Sequence, residues 1–462
     1  MSFFSIFNPD PHTDEIQDPE VVKKNYGYWR IRVFYSMFVG YAFYYFTRKS
    51  FTFAMPTLMR DLGLDKSELG ILGSIMAISY GLSKFANGII GDRSNPRAFM
   101  AIGLILTGFF NIFFGCSSSL LFFALFWGLN GWFQGFGWPG CARLLTHWYS
   151  HSERGRWWSF WNTSHNIGGA LIPVVIGVSA ELYGWRAAMI LTGCICIGVG
   201  FFLLNRLPDT PQSLGLPPIE RFRSDYPDNK SKMEDERELS AREILLKHVL
   251  KNPFIWILAF SYFFVYIIRQ AVNDWTVLYL VEAKNYTQLG SGGIVMWFEV
   301  GGFFGSLAAG WASDKIFQGR RGPINILFCL FICLAIAIFA WAPISSAYFD
   351  SLMLFVIGFL IFGPQMLIGM AAAELSHKKA AATASGFTGT WAYAGAAVAG
   401  YPLGLIIQSY GWEGYFVVLT ACGAISSLLL LPLWAVKTRE DGFFSKAKQG
   451  VVEVPVTITT QN

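Results

Sequence analysis

The chain has 462 residues, of which 53% are hydrophobic, 17% aromatic and only 14% charged, with a formal net charge of +5. An ordinary soluble domain carries about 25% charged residues, so the composition and the mean hydropathy of +0.42 exclude a soluble protein with a single anchor and indicate many membrane crossings. The positive balance is not a nucleic-acid footprint, because the basic residues sort to one side of the apolar segments. Residues 1–20 are polar and acidic, with Asp10, Asp14, Glu15, Asp18 and Glu20, the wrong composition for a secretory signal.

After a tail at 1–28, apolar stretches long enough to cross a bilayer are expected at 29–55, 68–91, 98–116, 119–144, 157–181 and 185–206. A proline-containing, mixed-charge loop follows at 207–252, whose end (about 239–250) reads as an amphipathic surface helix opened by a capping box of Ser240 and Glu243. Six more spans are expected at 253–281, 290–313, 322–342, 346–375, 380–409 and 412–436, then a tail at 437–462. The polar ends 1–22 and 437–462 are expected as mobile tails. The expected organisation is an all-α membrane protein of twelve transmembrane helices, with two six-helix halves at 29–206 and 253–436. With the N-terminus inside, 27 of the 35 Lys and Arg residues fall on the cytoplasmic side and only Arg60, Lys66, Arg186 and Lys284 on the other. This bias predicts both termini in the cytoplasm.

The remaining four, Arg48, Lys49, Lys84 and Arg269, lie within spans. An arginine at membrane depth costs at least about 2.5–3.5 kcal/mol and marks a functional site by default. Arg48 shares a helical face with Tyr41, Tyr44 and Tyr45. Lys84 follows Tyr80 by four residues, and Arg269 follows Tyr266 by three and precedes Asn273 by four. His165 lies in the run Trp161-Asn162-Thr163-Ser164-His165-Asn166-Ile167-Gly168-Gly169. Carboxylates at this depth are few, Asp274 and Glu299. Cations ringed by hydroxyls, amides and aromatic faces make an anion site, since guanidinium meets phosphate through a bidentate fork. Two unpaired cations about 10 Å apart repel by roughly 1.7 kcal/mol at an effective dielectric near 20, and a dianion between them reverses the sign. Alternatives stay open at this stage. Arg48 could pair with Asp274 or Glu299, Lys84 could reach the interface, His165 could be a packed core residue, and the tyrosines could simply pack.

The halves are duplicates. Gly88-x-x-x-Asp92-Arg93 is answered by Gly310-x-x-x-Asp314-Lys315, Gly137-Trp138-Pro139 by Phe362-Gly363-Pro364, and Tyr183-Gly184-Trp185 by Tyr410-Gly411-Trp412. Gly135-x-Gly137-x-x-Gly140 has no strand before it and reads as helix packing, not a dinucleotide loop. The seven cysteines all lie in apolar segments without zinc spacing. No metal and no cofactor are expected. No nucleophile is paired with a base, so a membrane enzyme acting on phosphate esters ranks last.

The repeated loop motif, Gly88, Asp92 and Arg93 in one half and Gly310 and Asp314 in the other, resembles the signature of the major facilitator superfamily. More narrowly, Tyr45-Phe46-Thr47-Arg48-Lys49-Ser50, Tyr80-Gly81-Leu82-Ser83-Lys84-Phe85, the His165 run and Phe362-Gly363-Pro364-Gln365-Met366-Leu367-Ile368-Gly369 resemble the organophosphate:phosphate antiporters. Asn273-Asp274-Trp275 and Met370-Ala371-Ala372-Ala373-Glu374 favour the bacterial hexose-phosphate sensor and transporter branch, while Gly215-Leu216-Pro217-Pro218 resembles the glycerol-phosphate branch. The resemblance implies exchange of a sugar phosphate for inorganic phosphate by alternating access in the inner membrane of a bacterium. It implies a phosphate site of Arg48, Arg269, Lys84 and His165, and a pocket of Tyr41, Tyr45, Lys49, Tyr80, Trp138, Asn162, Asn166, Tyr266 and Tyr393. Asp274 and Glu299 carry over as acids that pair with cations during the cycle. Position 362 is Phe where the glycerol-phosphate branch has Tyr, and Ser385 and Thr388 stand where the hexose-phosphate carrier has an acid and a lysine. The expected partners are the two phosphates and membrane lipid, with no nucleic acid. The protein is expected to act as a monomer, or, if it is a sensor, beside a membrane kinase.

Overall fold

The computed structural model describes residues 6–91, 94–225, 244–344, 346–376 and 380–436, and all regular structure among them is helical. Twelve spans can be traced among the described residues. The first four are the helices Pro19–Leu62, Lys66–Gly91, Pro96–Cys116 and Leu120–Gln134, the last continued by Gly137–Trp148. His151–Asn162 and Ser164–Arg206 carry spans five and six. Spans seven to ten are Pro253–Glu282, Gln288–Lys315, Arg321–Trp341 and Ala347–Glu374, and spans eleven and twelve run through Ala381–Val398 and Tyr401–Leu430.

The repeat is visible in the backbone. Spans five and six meet at Gly184 (φ 81°, ψ 164°), and spans eleven and twelve meet at Gly411 (φ 66°, ψ −164°). Both are the central residue of a Tyr-Gly-Trp triplet. Only glycine takes this positive-φ, extended-ψ conformation without strain, which is how each pair of spans reverses with no loop between them.

Span one begins at Pro19, well before the expected start at 29. Proline suits the first helical position, and the Asp18 carboxylate caps it by accepting from the Glu20 amide at 2.9 Å. The segment before it is not the loose tail expected from its polarity. The Asp10 amide donates to Asp209 Oδ2 (2.9 Å), the Ile16 amide to the Gly215 carbonyl (2.8 Å), and the Phe7 carbonyl accepts from the Asn95 amide (2.7 Å). Tyr26 stacks on Phe222 at 4.2 Å, so the N-terminal segment and the first part of the central loop are packed together onto the N-terminal half. The expected capping box at Ser240 and Glu243, the acid and base of the first loop motif (Asp92 and Arg93) and the tail at 437–462 lie outside the described residues.

At the end of the bundle away from the termini, the four basic residues that opposed the charge bias are each satisfied locally. Arg60 pairs with Asp61 (2.8 Å), Lys66 with Glu282 (2.8 Å) and Lys284 with Asp350 (2.7 Å). Arg186 donates to the Gly115 carbonyl at 3.0 Å.

Candidate functional site

Span one is continuous through Arg48, so Tyr41, Tyr45 and Arg48, at spacings of three, four and seven, fall on one face. That face meets span seven, whose Tyr266 and Arg269 occupy the matching place in the other half. Between them lies a cavity of 190 Å³, lined also by Lys49, Tyr80, Lys84, Trp138, Asn162, His165, Asp274 and Tyr393. Thirteen of the fifteen residues expected at the phosphate site, the pocket and the ion pairs line this one space. Tyr44, on the same turn as Tyr45, turns away and donates to the Met100 carbonyl (2.7 Å).

The arginines are held differently. The Arg48 guanidinium lies over the rings of Tyr80 (4.2 Å) and Tyr45 (4.6 Å), and its Nε donates to Gln134 Oε1 at 3.3 Å. Arg269 lies over Phe362 (5.1 Å) and Tyr266 (5.6 Å). Lys84 Nζ sits between Tyr393 (5.3 Å) and Trp138 (5.6 Å), lining the cavity rather than reaching the interface. Among the described residues, no carboxylate lies within 4.0 Å of Arg48, Lys84 or Arg269. The alternative that Arg48 is neutralised by an acid from another span is therefore not realised. Arg48 Nη2, Arg269 Nε and His165 Nε2 are buried without a hydrogen-bond partner. The two guanidinium nitrogens are donors, and a buried donor left this way costs about 1–3 kcal/mol, more when charged, a cost that the acceptor oxygens of an anion would relieve.

The fourth cation differs. Lys49 forms an ion pair with Glu299 of span eight and donates to Asn273 Oδ1 of span seven (3.0 Å). Glu299, 1% exposed, also accepts from Asn166 Nδ2 at 3.1 Å. The glycine pair of span five explains this junction. A β-carbon at Gly168 would come within 2.2 Å of the Ala42 carbonyl oxygen, and one at Gly169 within 2.9 Å of Glu299 Cδ. Both glycines are needed for span five to meet span one and admit the carboxylate.

One expectation needs correction in detail. Asn166 was expected in the pocket, but it lies one helical turn beyond Asn162, and its amide is committed to Glu299. In this conformation the two oxygens of Asp274 accept from Gln270 Nε2 (2.9 Å each), a partner one turn away on the same helix. Sequence reasoning missed Gln134 and Gln270 as site residues. Both are ordinary amides in apolar helices, and their only signal was polarity at a buried depth.

In the loop motif, Asp314 and Glu374 both accept from Arg321, the latter through Nε (3.2 Å) and Nη2 (3.0 Å), tying the end of span eight to spans nine and ten. Gly310 and Gly88 are not closely approached.

Residues 37–400 match the family model of the Major Facilitator Superfamily. The chain is 60% identical to a "Probable hexose phosphate transport protein" of Chlamydia pneumoniae, over 93% of this chain and 96% of that one. It is 49% identical to the "Membrane sensor protein UhpC" of Escherichia coli, over 92% and 96%, and 39% identical to the "Glycerol-3-phosphate transporter" of Bacillus subtilis, over 95% and 99%. Among solved structures it is similar to a bacterial homolog of the human lysosomal transporter Spinster in an inward-facing, unoccupied conformation. That likeness has a TM-score of 0.69 and 14% identity, and covers 88% of this chain and 96% of that one. The chain belongs to the Major Facilitator Superfamily, and within it to the organophosphate:phosphate antiporter branch.

Proposed function

We propose that the protein imports hexose phosphate, with glucose-6-phosphate the first candidate, in exchange for inorganic phosphate. The observation that carries this reading is the pair Arg48 and Arg269, one from each half, facing one cavity with no carboxylate of the described residues within 4.0 Å of either guanidinium. A phosphate dianion satisfies both forks. The amides of Asn162, Gln270 and Asn273 can bind sugar hydroxyls, and Trp138 and Tyr41 offer apolar faces to the ring. With two unopposed cations the empty site resists closure. Reorientation of the halves 29–206 and 253–436 therefore requires an anion, which couples inward movement of one phosphate to outward movement of another. Phosphate contacts are assigned to Arg48, Arg269, Lys84 and His165, and the charge bias supports both termini in the cytoplasm.

The test is uptake of labelled glucose-6-phosphate into proteoliposomes loaded with phosphate. Uptake is expected to depend on internal phosphate and to fall by about thirtyfold or more in Arg269→Ala, the usual cost of removing one partner of a buried charge pair. Equal uptake into unloaded vesicles would remove obligatory exchange, and normal uptake by the variant would remove the site assignment. A counterflow panel of glucose-6-phosphate, glycerol-3-phosphate and phosphoglycerate ranks the organic part.

The 49% identity to a membrane sensor protein supports a second reading, in which the same binding event reports external hexose phosphate to a membrane kinase. Rapid exchange by the purified protein alone favours the carrier. Binding without measurable exchange favours the sensor.

A further inference from the structure

The two arginines stand at matching places in a duplicated chain, but their supports are not duplicated. Gln134 of span four, 1% exposed, donates through Nε2 to Thr47 Oγ1 (2.9 Å) and Asn130 Oδ1 (3.2 Å). Asn130 in turn donates to the Thr47 carbonyl (3.0 Å). With both amide hydrogens engaged, Gln134 Oε1 is left facing Arg48 Nε at 3.3 Å. The amide ladder thus fixes one edge of the Arg48 guanidinium while Tyr45 and Tyr80 cover its faces. That leaves the terminal nitrogens, of which Nη2 has no protein partner, for the cavity. Arg269 has no such ladder. Its Nε is buried without a partner, and among the described residues it rests on the faces of Tyr266 and Phe362. The prolines at 139 and 364 align the two halves with an offset of 225, which puts Phe359 where span four has Gln134. Both halves carry the guanidinium, but its amide support stands in the first half.

We propose that Gln134 is a positioning residue for anion recognition: it makes Arg48 the fixed jaw of the clamp, leaving Arg269 as the adjustable one. This rests on the reading that the arginines bind the phosphate group. A preorganised fork loses less freedom on binding, so Gln134 acts on affinity without touching the ligand.

Binding of inorganic phosphate to the purified full-length protein, by isothermal titration calorimetry, tests it with two substitutions. Gln134→Met keeps the volume and removes the acceptor. It is expected to weaken phosphate binding about tenfold, the scale of one hydrogen bond to a charged group. Gln134→Glu keeps the shape but supplies a carboxylate that competes with phosphate for Arg48, and is expected to bind more weakly than Gln134→Met. A role in packing alone predicts the reverse order. Phosphate binding by Gln134→Met within twofold of wild type, or Gln134→Glu binding as well as Gln134→Met, overturns the proposal. If only one variant folds, its comparison with wild type decides, since each is expected to lose affinity. Wild-type protein that bound no phosphate would instead overturn the reading of the arginines, and this inference with it.

Discussion

The two ends of the bundle are built in opposite ways. At the end away from the termini the halves are sewn to each other. A β-carbon at Gly70 would come within 2.8 Å of the Gly400 carbonyl oxygen. Ser74 Oγ donates to the Ala397 carbonyl (2.6 Å) and accepts from the Tyr401 amide (2.8 Å). Lys66 pairs with Glu282, which also accepts from Trp412 Nε1 (3.2 Å). At the end that carries the termini each half is tied to itself. Arg143 pairs with buried Asp209 and Arg154 with Glu220 in one half, and Arg321 with Asp314 and Glu374 in the other. Between described residues, the hydrogen bonds and ion pairs that join the halves all lie at the level of the paired arginines or beyond it. The described contacts between the halves thus form a seam at one end, while at the other end each half is tied within itself.

Four substitutions test this contrast. Glu299→Gln leaves the buried Lys49 without its acid at the inner edge of the seam. Removing one partner of a buried pair costs about 3–5 kcal/mol, so spin labels placed on the far-end loops are expected to separate and exchange to fall steeply. An unchanged spacing would mean that this pair does not hold the seam. Arg321→Ala is the control at the other end. Loss of its charged hydrogen bonds should lower stability by about 1.5–3 kcal/mol in a melting experiment, with the far-end spacing unaltered. Gly70→Ala forces backbone apart where nothing flexible can yield, at about 1–3 kcal/mol. It should widen the far end without lowering phosphate affinity, measured by calorimetry. Lys66→Ala removes a pair near the surface worth about 0.2–1 kcal/mol. Its effect on the same spin-label distance should be small but in the same direction, and a shift as large as that of Glu299→Gln would assign the latch to the wrong pair.

Much of the site was legible because membrane depth makes polar residues conspicuous. Arg48, Lys84, His165 and Arg269 announced themselves by their cost, and the helical period grouped Tyr41 and Tyr45 with Arg48. Gln134 and Gln270 did not stand out, because a neutral amide is cheap enough to hide in an apolar helix and its partners come from other turns or other spans. Asn166 was misplaced by one turn for the same reason: the run around His165 marks a site, but only the packing of span eight decides which asparagine meets Glu299. The segment before Pro19 read as a tail because its composition is polar. Its order comes from backbone bonds to the central loop, some 200 positions away, which no local pattern records.

The twelve spans, the duplication with its repeated Tyr-Gly-Trp triplet, and an intramembrane arginine in each half were already written in the chain. These follow from period, length and the expense of charge in an apolar span, all of which are local. Which of these cations stay without a carboxylate partner among the described residues depends on how the spans pack. Lys49 is adjacent to Arg48 in the chain, yet it points to Glu299 and joins the seam, while Arg48 turns to the cavity. Successive residues on a helix face about 100° apart, so neighbours in sequence answer to different spans, and it is the facing span that places one in the seam and the other on the cavity.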